Sequence, residues 1–431
     1  MALLIIFIVM FLLMFLGMDI FVSMAVAGCT YLLVTGNGPL AMISNSMVNG
    51  ISSTALLAIP FFILVGELMN ITKMTDQMLD FSLFFIGKVK GGLAYACIVV
   101  NVIFSLVSGS GPADAAAISP ILLPKMKDEG YPEDFSAACN AAGAVLGPII
   151  PPGIPMVFLA LITNLSVGRL FMGAMIPGLI MAALMGVVVY FEVKKMDIKP
   201  YQGQQMSWNG FWKMLKKSWL SLLAPIIIFA GVLSGIATIT EVAIFACAYI
   251  LVIGIFVYHN ITIKDIIFAF KNTALFSASI MALFAVAGIF SYMIAVEGLG
   301  DALVKLVNQY NLSPIMFLLF INILFLILGM IMDAIPAMLI FGPILLPIAI
   351  KLGIDPTHFG TVMICNLMIG LITPPVGGLL FLETKIAKLP FEKVAKASLP
   401  FVYSLLVALI LTTYIPELVT WLPNLIFGTG G

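Results

Sequence analysis

The sequence predicts an all-α polytopic membrane protein made of two inverted repeats, each with a re-entrant helical hairpin and a membrane helix unwound at its middle. Three observations predict it. The 431 residues are 62% hydrophobic and 9% charged, with a mean hydropathy of +1.19, whereas soluble domains carry about a quarter charged residues. A five-residue string and a double proline recur at one fixed spacing, and glycine and proline interrupt the apolar runs at matched places in the two halves. A bilayer accepts an apolar surface but offers backbone groups no partners, so the apolar runs must be helices. The alternation of a membrane β-barrel is absent.

Taken in order, spans are read from apolar runs of about 20 residues. The first 35 residues are too long for one crossing and break at Gly17-Met18-Asp19, giving two short spans. Residues 1–50 are therefore an N-terminal pair of spans. Residues 51–194 form the first repeat, with a span, a hairpin near 92–126, an unwound helix near 134–165 and a closing span. Residues 195–272 hold a polar loop, two linking spans and a surface arm. Residues 273–419 form the second repeat, with its hairpin near 314–350 and its unwound helix near 357–388, and 420–431 are a tail. The loop 196–217 places Trp208 and Trp212 among lysines, with Trp219 just beyond it, which suits a membrane interface. The segments 72–91 and 259–272 mix lysine, aspartate and aromatics and read as helices lying on the membrane surface.

Charge fixes the orientation. With the hairpins counted as non-crossing, all of the 20 basic residues except Arg169, Lys305 and Lys351 fall on one face. The positive-inside rule makes that face cytoplasmic and both termini periplasmic. Basic and acidic residues balance at 20 each, which argues against a nucleic-acid partner. Cys29, Cys97, Cys139, Cys247 and Cys365 are scattered through apolar runs and read as small buried side chains.

The repeat has a fixed spacing. Pro120-Ile121-Leu122-Leu123-Pro124 recurs as Pro343-Ile344-Leu345-Leu346-Pro347, and 343 − 120 = 223. At the same offset Gly130 maps to Gly353, and Gly147-Pro148-Ile149-Ile150-Pro151-Pro152 maps to Gly370-Leu371-Ile372-Thr373-Pro374-Pro375. By the span count an odd number of crossings separates equivalent points, which inverts the second repeat. In transporters built this way the site lies at mid-membrane between the repeats.

Each half carries two interruptions. The first hairpin breaks at Ser105-Leu106-Val107-Ser108-Gly109-Ser110-Gly111-Pro112-Ala113-Asp114, where glycine and proline stop one helix and Pro112 suits the first turn of the next. Ser110 is placed to cap that helix and Asp114 to sit at its positive end. The second hairpin breaks at Leu328-Gly329-Met330-Ile331-Met332-Asp333-Ala334-Ile335-Pro336, with Asp333 as cap in the place of Ser110. The unwound helices break at Gly147–Pro155 and Gly370–Gly378, since no continuous helix survives so many prolines. Unwound backbone at membrane depth must line a cavity or bind something. Free carbonyls at helix C-termini suit a hard cation and free N–H groups at N-termini suit an anion. The candidate anion contacts are Ser110, Gly111, Pro112, Asn140, Pro152, Gly153, Ala334, Pro336, Pro375 and Gly377. Asn140 and Asn366, in the arms leading to the breaks, equally suit helix–helix hydrogen bonds. Glu67 reads as a surface acid near a span end.

At Ser108-Gly109-Ser110-Gly111-Pro112, at Gly147-Pro148-Ile149-Ile150-Pro151-Pro152-Gly153-Ile154-Pro155 and at Ile59-Pro60-Phe61-Phe62-Ile63-Leu64-Val65-Gly66-Glu67, the chain resembles the large membrane subunit of the tripartite ATP-independent periplasmic (TRAP) transporters, with wording close to the sialic-acid branch. The resemblance covers essentially the whole chain. It implies a bacterial inner-membrane protein and an elevator mechanism, in which a transport domain of two hairpins and two unwound helices moves against a scaffold. It implies Na⁺ as coupling ion, held in one site by Ser105, Ser108, Gly109 and Pro148 or Pro151, and in a second by Gly329, Met332, Asp333 and Thr373. It also implies a small four-helix membrane partner, a periplasmic substrate-binding protein, and import of an organic-acid anion of the sialic-acid or C4-dicarboxylate type.

Other classes fit less well. A stand-alone Na⁺-coupled anion symporter shares the repeats and hairpins. An exchanger needs paired buried titratable groups, and Asp114 and Asp333 both have capping roles. An intramembrane serine enzyme using Ser110 needs a base, and neither His259 nor His358 is expected to reach it. No P-loop and no His/Cys cluster supports ATP drive or metal catalysis.

Overall fold

The computed structural model describes residues 2–36, 41–85, 90–196, 198, 208–234, 237–298 and 313–428; Lys88, Lys199 and Lys305 of the charge count lie outside them. The described residues form helices and no strand. The first half holds α1 (Ala2–Phe15), α2 (Ile20–Thr35), α3 (Ala41–Ile51), α4 (Ala58–Ile71), α5 (Met74–Phe85), α6 (Gly92–Ser108), α7 (Gly111–Asp128), α8 (Glu133–Ala144), α9 (Ile154–Thr163) and α10 (Val167–Lys195). The second holds α11 (Trp208–Ser234), α12 (Ile239–Val252), α13 (Ile263–Val296), α14 (Pro314–Ile331), α15 (Ala334–Lys351), α16 (Pro356–Gly370), α17 (Gly378–Ala387), α18 (Phe391–Tyr414) and α19 (Glu417–Phe427). Among them, seven helices are long and apolar enough to cross a bilayer. The 14 and 16 residues of α1 and α2 rise only about 21 and 24 Å, and the chain turns between them at Gly17, φ 85°.

The spacing of 223 holds helix by helix. Helices α6 to α10 recur as α14 to α18, and α7 maps onto α15 end for end, each with two internal prolines. One difference between the halves is plain. In the first, α3 and α4 are separate helices. In the second, the arm expected at 259–272 and the span expected at 273–296 are one uninterrupted helix of 34 residues, α13. Helix α3 packs across α13. A Cβ on Gly50 would meet the Phe284 carbonyl oxygen at 2.6 Å, and one on Gly288 would strike the backbone of Ser46. Small residues thus let the two backbones touch, a packing mode common in membranes.

The two hairpins turn as the glycine and aspartate positions dictate. Helix α6 stops on Gly109, which is left-handed at φ 59°, a conformation easy only for glycine. Helix α14 ends on the extended Met332, and Asp333 caps α15 by accepting from the Ala334 N–H at 2.7 Å. Both breaks contain a cis proline bond, Pro151-Pro152 and Pro374-Pro375.

Each hairpin tip docks on the break of its own repeat. In the first, the Ile154 N–H donates to the Gly109 carbonyl at 3.1 Å, and Gly109 lies against the backbone of Pro152. In the second, the Gly377 N–H donates to the Met330 carbonyl at 3.4 Å. A Cβ on Gly370 would sit 2.6 Å from the Cα of Gly329, closer than two carbons pack. Gly370→Ala therefore has to push the second tip off its break. Overpacking of this kind costs about 1–3 kcal/mol, so the purified variant should melt several degrees below wild type in a thermal scan; an unchanged Tm would show that the tip is not held there.

Candidate functional site

A cavity of about 680 Å³ lies where the first hairpin tip and first break face α4 and α13. Its floor is Ser108-Gly109-Ser110-Gly111-Pro112-Ala113 with Pro148, Ile154 and Pro155. Its opposite wall carries Glu67 and Asn70 from α4 and Asn272, Phe276 and Ser279 from α13. Asp333 and Ile335 enter from the second hairpin. A smaller cavity of about 370 Å³, also lined by Glu67, Asn70, Thr75, Ala113 and Ala116, continues to Asp76 at the start of α5.

Backbone supplies the positive potential of this space. No lysine, arginine or histidine is among its described lining residues, whereas Glu67 and Asp333 are. The favourable end for an anion is the N-terminus of α7. Pro112 at its start has no N–H to lose, and the first-turn N–H groups and helix dipole give partial positive charge.

The serine roles differ from the expectation. Ser110 occupies the N-cap position of α7 but makes no side-chain cap. Ser108 instead ties the tip to the helix: its Oγ accepts from the Ser110 N–H at 3.1 Å and donates to Asp114 Oδ1 in a short hydrogen bond. Asp114 is fully buried, and its Oδ2 has no hydrogen-bond partner among the described residues. That oxygen faces Gly147 of the break, where a Cβ would collide with it. The unpaired carboxyl oxygen and the serine hydroxyl are oxygen donors placed beside the break, the chemistry a hard cation takes. Among the described residues no cluster of histidine, cysteine and acid suits a transition metal.

All of the sequence candidates except Asn140 fall into three groups. Ser108, Gly109, Ser110, Gly111, Pro112, Pro148 and Asp333 meet at the cavity. Ser105, Pro151, Pro152 and Gly153 are buried at the first junction, with the Ser105 hydroxyl donating to the Val102 carbonyl at 2.6 Å. Gly329, Met332, Ala334, Pro336, Thr373, Pro375 and Gly377 gather at the second hairpin and break, outside the cavity wall; Thr373 Oγ1 donates to the Ile369 carbonyl at 2.7 Å. Asn140 is fully buried away from the cavity. Asn366 donates to Asn322 Oδ1 at 2.6 Å, a helix–helix hydrogen bond. His358 is engaged with the Thr412 carbonyl at 2.9 Å.

Sequence reasoning passed over three contributors. Glu67 lines both cavities rather than lying at an outer surface. Asp114 was read as a helix-end charge, yet it anchors the tip; its place one turn after Ser110 was the available signal. Glu383 was not singled out. It is buried on α17, accepting from Asn140 Nδ2 at 2.8 Å beside Ser119.

Comparison with known proteins follows the same lines. The sequence matches the family profile described as "Tripartite ATP-independent periplasmic transporter, DctM component" over residues 7–418. It is 34% identical over 418 residues to the sialic acid TRAP transporter large permease protein SiaM of Vibrio cholerae, covering 97% of each chain. It is 37% identical over 371 residues to the C4-dicarboxylate TRAP transporter large permease protein DctM of Pseudomonas aeruginosa, covering 86% of each. In fold it is similar to the crystal structure of the Alcanivorax borkumensis YdaH transporter, with a TM-score of 0.66 at 15% identity over 89% of this chain and 90% of that one.

If the oxygen set at the first tip binds Na⁺, the ion stabilises the folded protein by mass action, about 2.7 kcal/mol at a hundredfold excess over Kd. Melting in NaCl should exceed melting in equal KCl, and Ser108→Ala should remove most of that difference. Equal melting in the two salts would argue against a Na⁺ site.

Proposed function

Because the chain belongs to the DctM family of TRAP transporters, a family of multi-pass membrane permeases and not enzymes, we propose that it is the translocating subunit of a Na⁺-driven importer of an organic-acid anion. A periplasmic binding protein delivers the anion, and a small membrane subunit completes the scaffold. The observation that carries this reading is the 680 Å³ cavity bounded on one side by a hairpin tip and a broken helix, and on the other by the continuous helices α4 and α13.

The residues supply a mechanism. The anion's carboxylate sits at the N-terminus of α7, where N–H groups replace a basic side chain. Na⁺ binds first at Ser105, Ser108, Gly109 and the Pro148 or Pro151 carbonyls, with Asp114 behind them. A second Na⁺ binds at Gly329, Met332, Asp333 and Thr373. Each ion ties a tip to its break, and neutralising Asp114 and Asp333 removes the repulsion an incoming anion would meet. Na⁺ favours only a state that binds it better, so coupling arises because both tips are ordered when loaded. The two tips, two breaks and their arms then move as one re-entrant unit against α4 and α13, as an elevator. With the lysine-rich face cytoplasmic and both termini periplasmic, the smaller cavity leading to Asp76 is the exit toward the cytoplasm. The chain is about equally similar to permeases named for sialic acid and for C4-dicarboxylates, so the substrate class is the carboxylate they share.

The test is uptake into proteoliposomes holding this chain, its small partner and the binding protein, with labelled sugar acid and labelled dicarboxylate run in parallel. Uptake should need both an inward Na⁺ gradient and the binding protein. Ser108→Ala and Asp333→Ala should each raise the Na⁺ concentration for half-maximal uptake about tenfold, the effect of losing roughly one ligand hydrogen bond's worth of free energy. Uptake without the binding protein would instead indicate a stand-alone symporter.

A further inference from the structure

The second repeat contributes one buried acid that the Na⁺ reading does not use. Glu383 of α17 is fully buried and meets Ser119 of α7 and Asn140 of α8. These helices pack together across the repeat boundary. No lysine or arginine pairs with Glu383 among the described residues; Lys385 on its own helix, Lys125 and Lys127 on α7, and Lys393 and Lys396 on α18 are all exposed. On α7, Asp114 lies five residues before Ser119 and is occupied by Ser108. Helix α8 keeps its acids, Glu133 and Asp134, at its first turn. The titratable groups nearest the trio are thiols, Cys97 on α6, whose Sγ lies 3.4 Å from Asn140 Oδ1, and Cys139 on α8.

The hydrogen bonds can be counted. Asn101 Nδ2 donates to the Cys97 carbonyl at 2.8 Å, which fixes that amide, and to Asn140 Oδ1 at 3.0 Å, which fixes the next. The Asn140 NH₂ therefore faces Ser119 Oγ at 2.7 Å and Glu383 Oε1 at 2.8 Å. Ser119 Oγ lies 2.7 Å from Oε1 and 2.8 Å from Oε2. Three protons satisfy these four contacts, because the one hydroxyl proton can be shared between the two carboxyl oxygens. The amide supplies two and the hydroxyl one; a fully buried carboxyl with no cation among the described residues to offset its charge is neutralised by taking up a proton of its own, which Ser119 Oγ is placed to accept. The oxygens are already in hydrogen-bond contact, which leaves a proton as the ligand that fits between them.

The repeat provides an internal control. At the offset of 223, Ser119, Asn140 and Glu383 correspond to Gly342, Met363 and Ala160. The fold packs the same three-helix corner with apolar side chains on the other side, so packing does not require the polar trio. A lone ionised carboxylate inside a membrane is costly and marks function by default.

We propose that Glu383, Ser119 and Asn140 form a proton-binding site carried by the hairpin–break unit, and that the unit crosses with this carboxyl neutral. The crossing rests on the transport reading above; the proton site does not. Infrared difference spectra of the purified complex, titrated with pH in H₂O and D₂O, read the site directly. Wild type should show a protonated-carboxyl stretch that disappears as pH rises and is missing from Glu383→Gln, an isosteric change that keeps the hydrogen-bond frame. Ser119→Ala, should the first variant fold poorly, should shift the pH at which that band is lost. Superimposable wild-type and variant spectra would overturn the proposal. In liposomes, wild-type uptake should fall about tenfold per pH unit once the carboxyl loses its proton, and Glu383→Gln should be flat over that range. Matching pH profiles would overturn the neutral-crossing step. A carboxyl band without uptake by any protein would leave the proton site standing and overturn the transport reading instead.

Discussion

Backbone at membrane depth has to find partners within the protein, and the arrangement of this molecule follows from how two unwound segments do so. Neither break can hydrogen-bond along its own helix, because prolines and glycines stop the ladder. Each is instead met by a hairpin tip, through Ile154 N–H to the Gly109 carbonyl and Gly377 N–H to the Met330 carbonyl. Such contacts need backbones to touch, which is why Gly109, Gly329 and Gly370 sit where any Cβ would collide with opposing backbone. Carbonyls and N–H groups left over at these junctions add to the polar equipment of the cavity, whose described wall otherwise offers acidic, amide and hydroxyl side chains but no basic one.

The two repeats share this scheme but not its chemistry. The first tip is held by Ser108 and a buried Asp114, the second by an aspartate cap and the close approach of Gly329 and Gly370. The asymmetry extends to the helix arms, where one corner holds Glu383 with Ser119 and Asn140 and its counterpart holds Ala160, Gly342 and Met363. Symmetry at the level of backbone thus leaves each half free to carry a different group. On the Na⁺-coupled reading, a cavity with an α7 N-terminus, two acids and no basic side chain among its described residues attracts an anion only once cations are in place. In the proposed scheme that supplies the order of binding.

Much of the fold was legible because its punctuation is local. Glycine and proline announce their own breaks, and a repeat at a constant offset survives divergence, so the helices break where the sequence says they should. The arm at 259–272 was less legible, since nothing in its composition tells a surface helix from the first turns of α13. The roles of Ser108 and Ser110 turned on a tip geometry that only the docked break fixes. Glu383 was hidden for a physical reason: it sits among Lys385 and Lys388 in sequence, like an acid at a span end, and its partners lie 264 and 243 positions away.

The central claim is that the two tips and breaks move as one body against α4 and α13. Pulsed electron-spin distances in the assembled complex test it directly, using one label pair within the body, at Asp128 and Lys388, and one across the boundary, at Asp128 and Lys264. Adding Na⁺ and substrate should leave the first distance unchanged and shift the second. If both distances stay fixed, or the first changes as much as the second, the moving-unit account is contradicted.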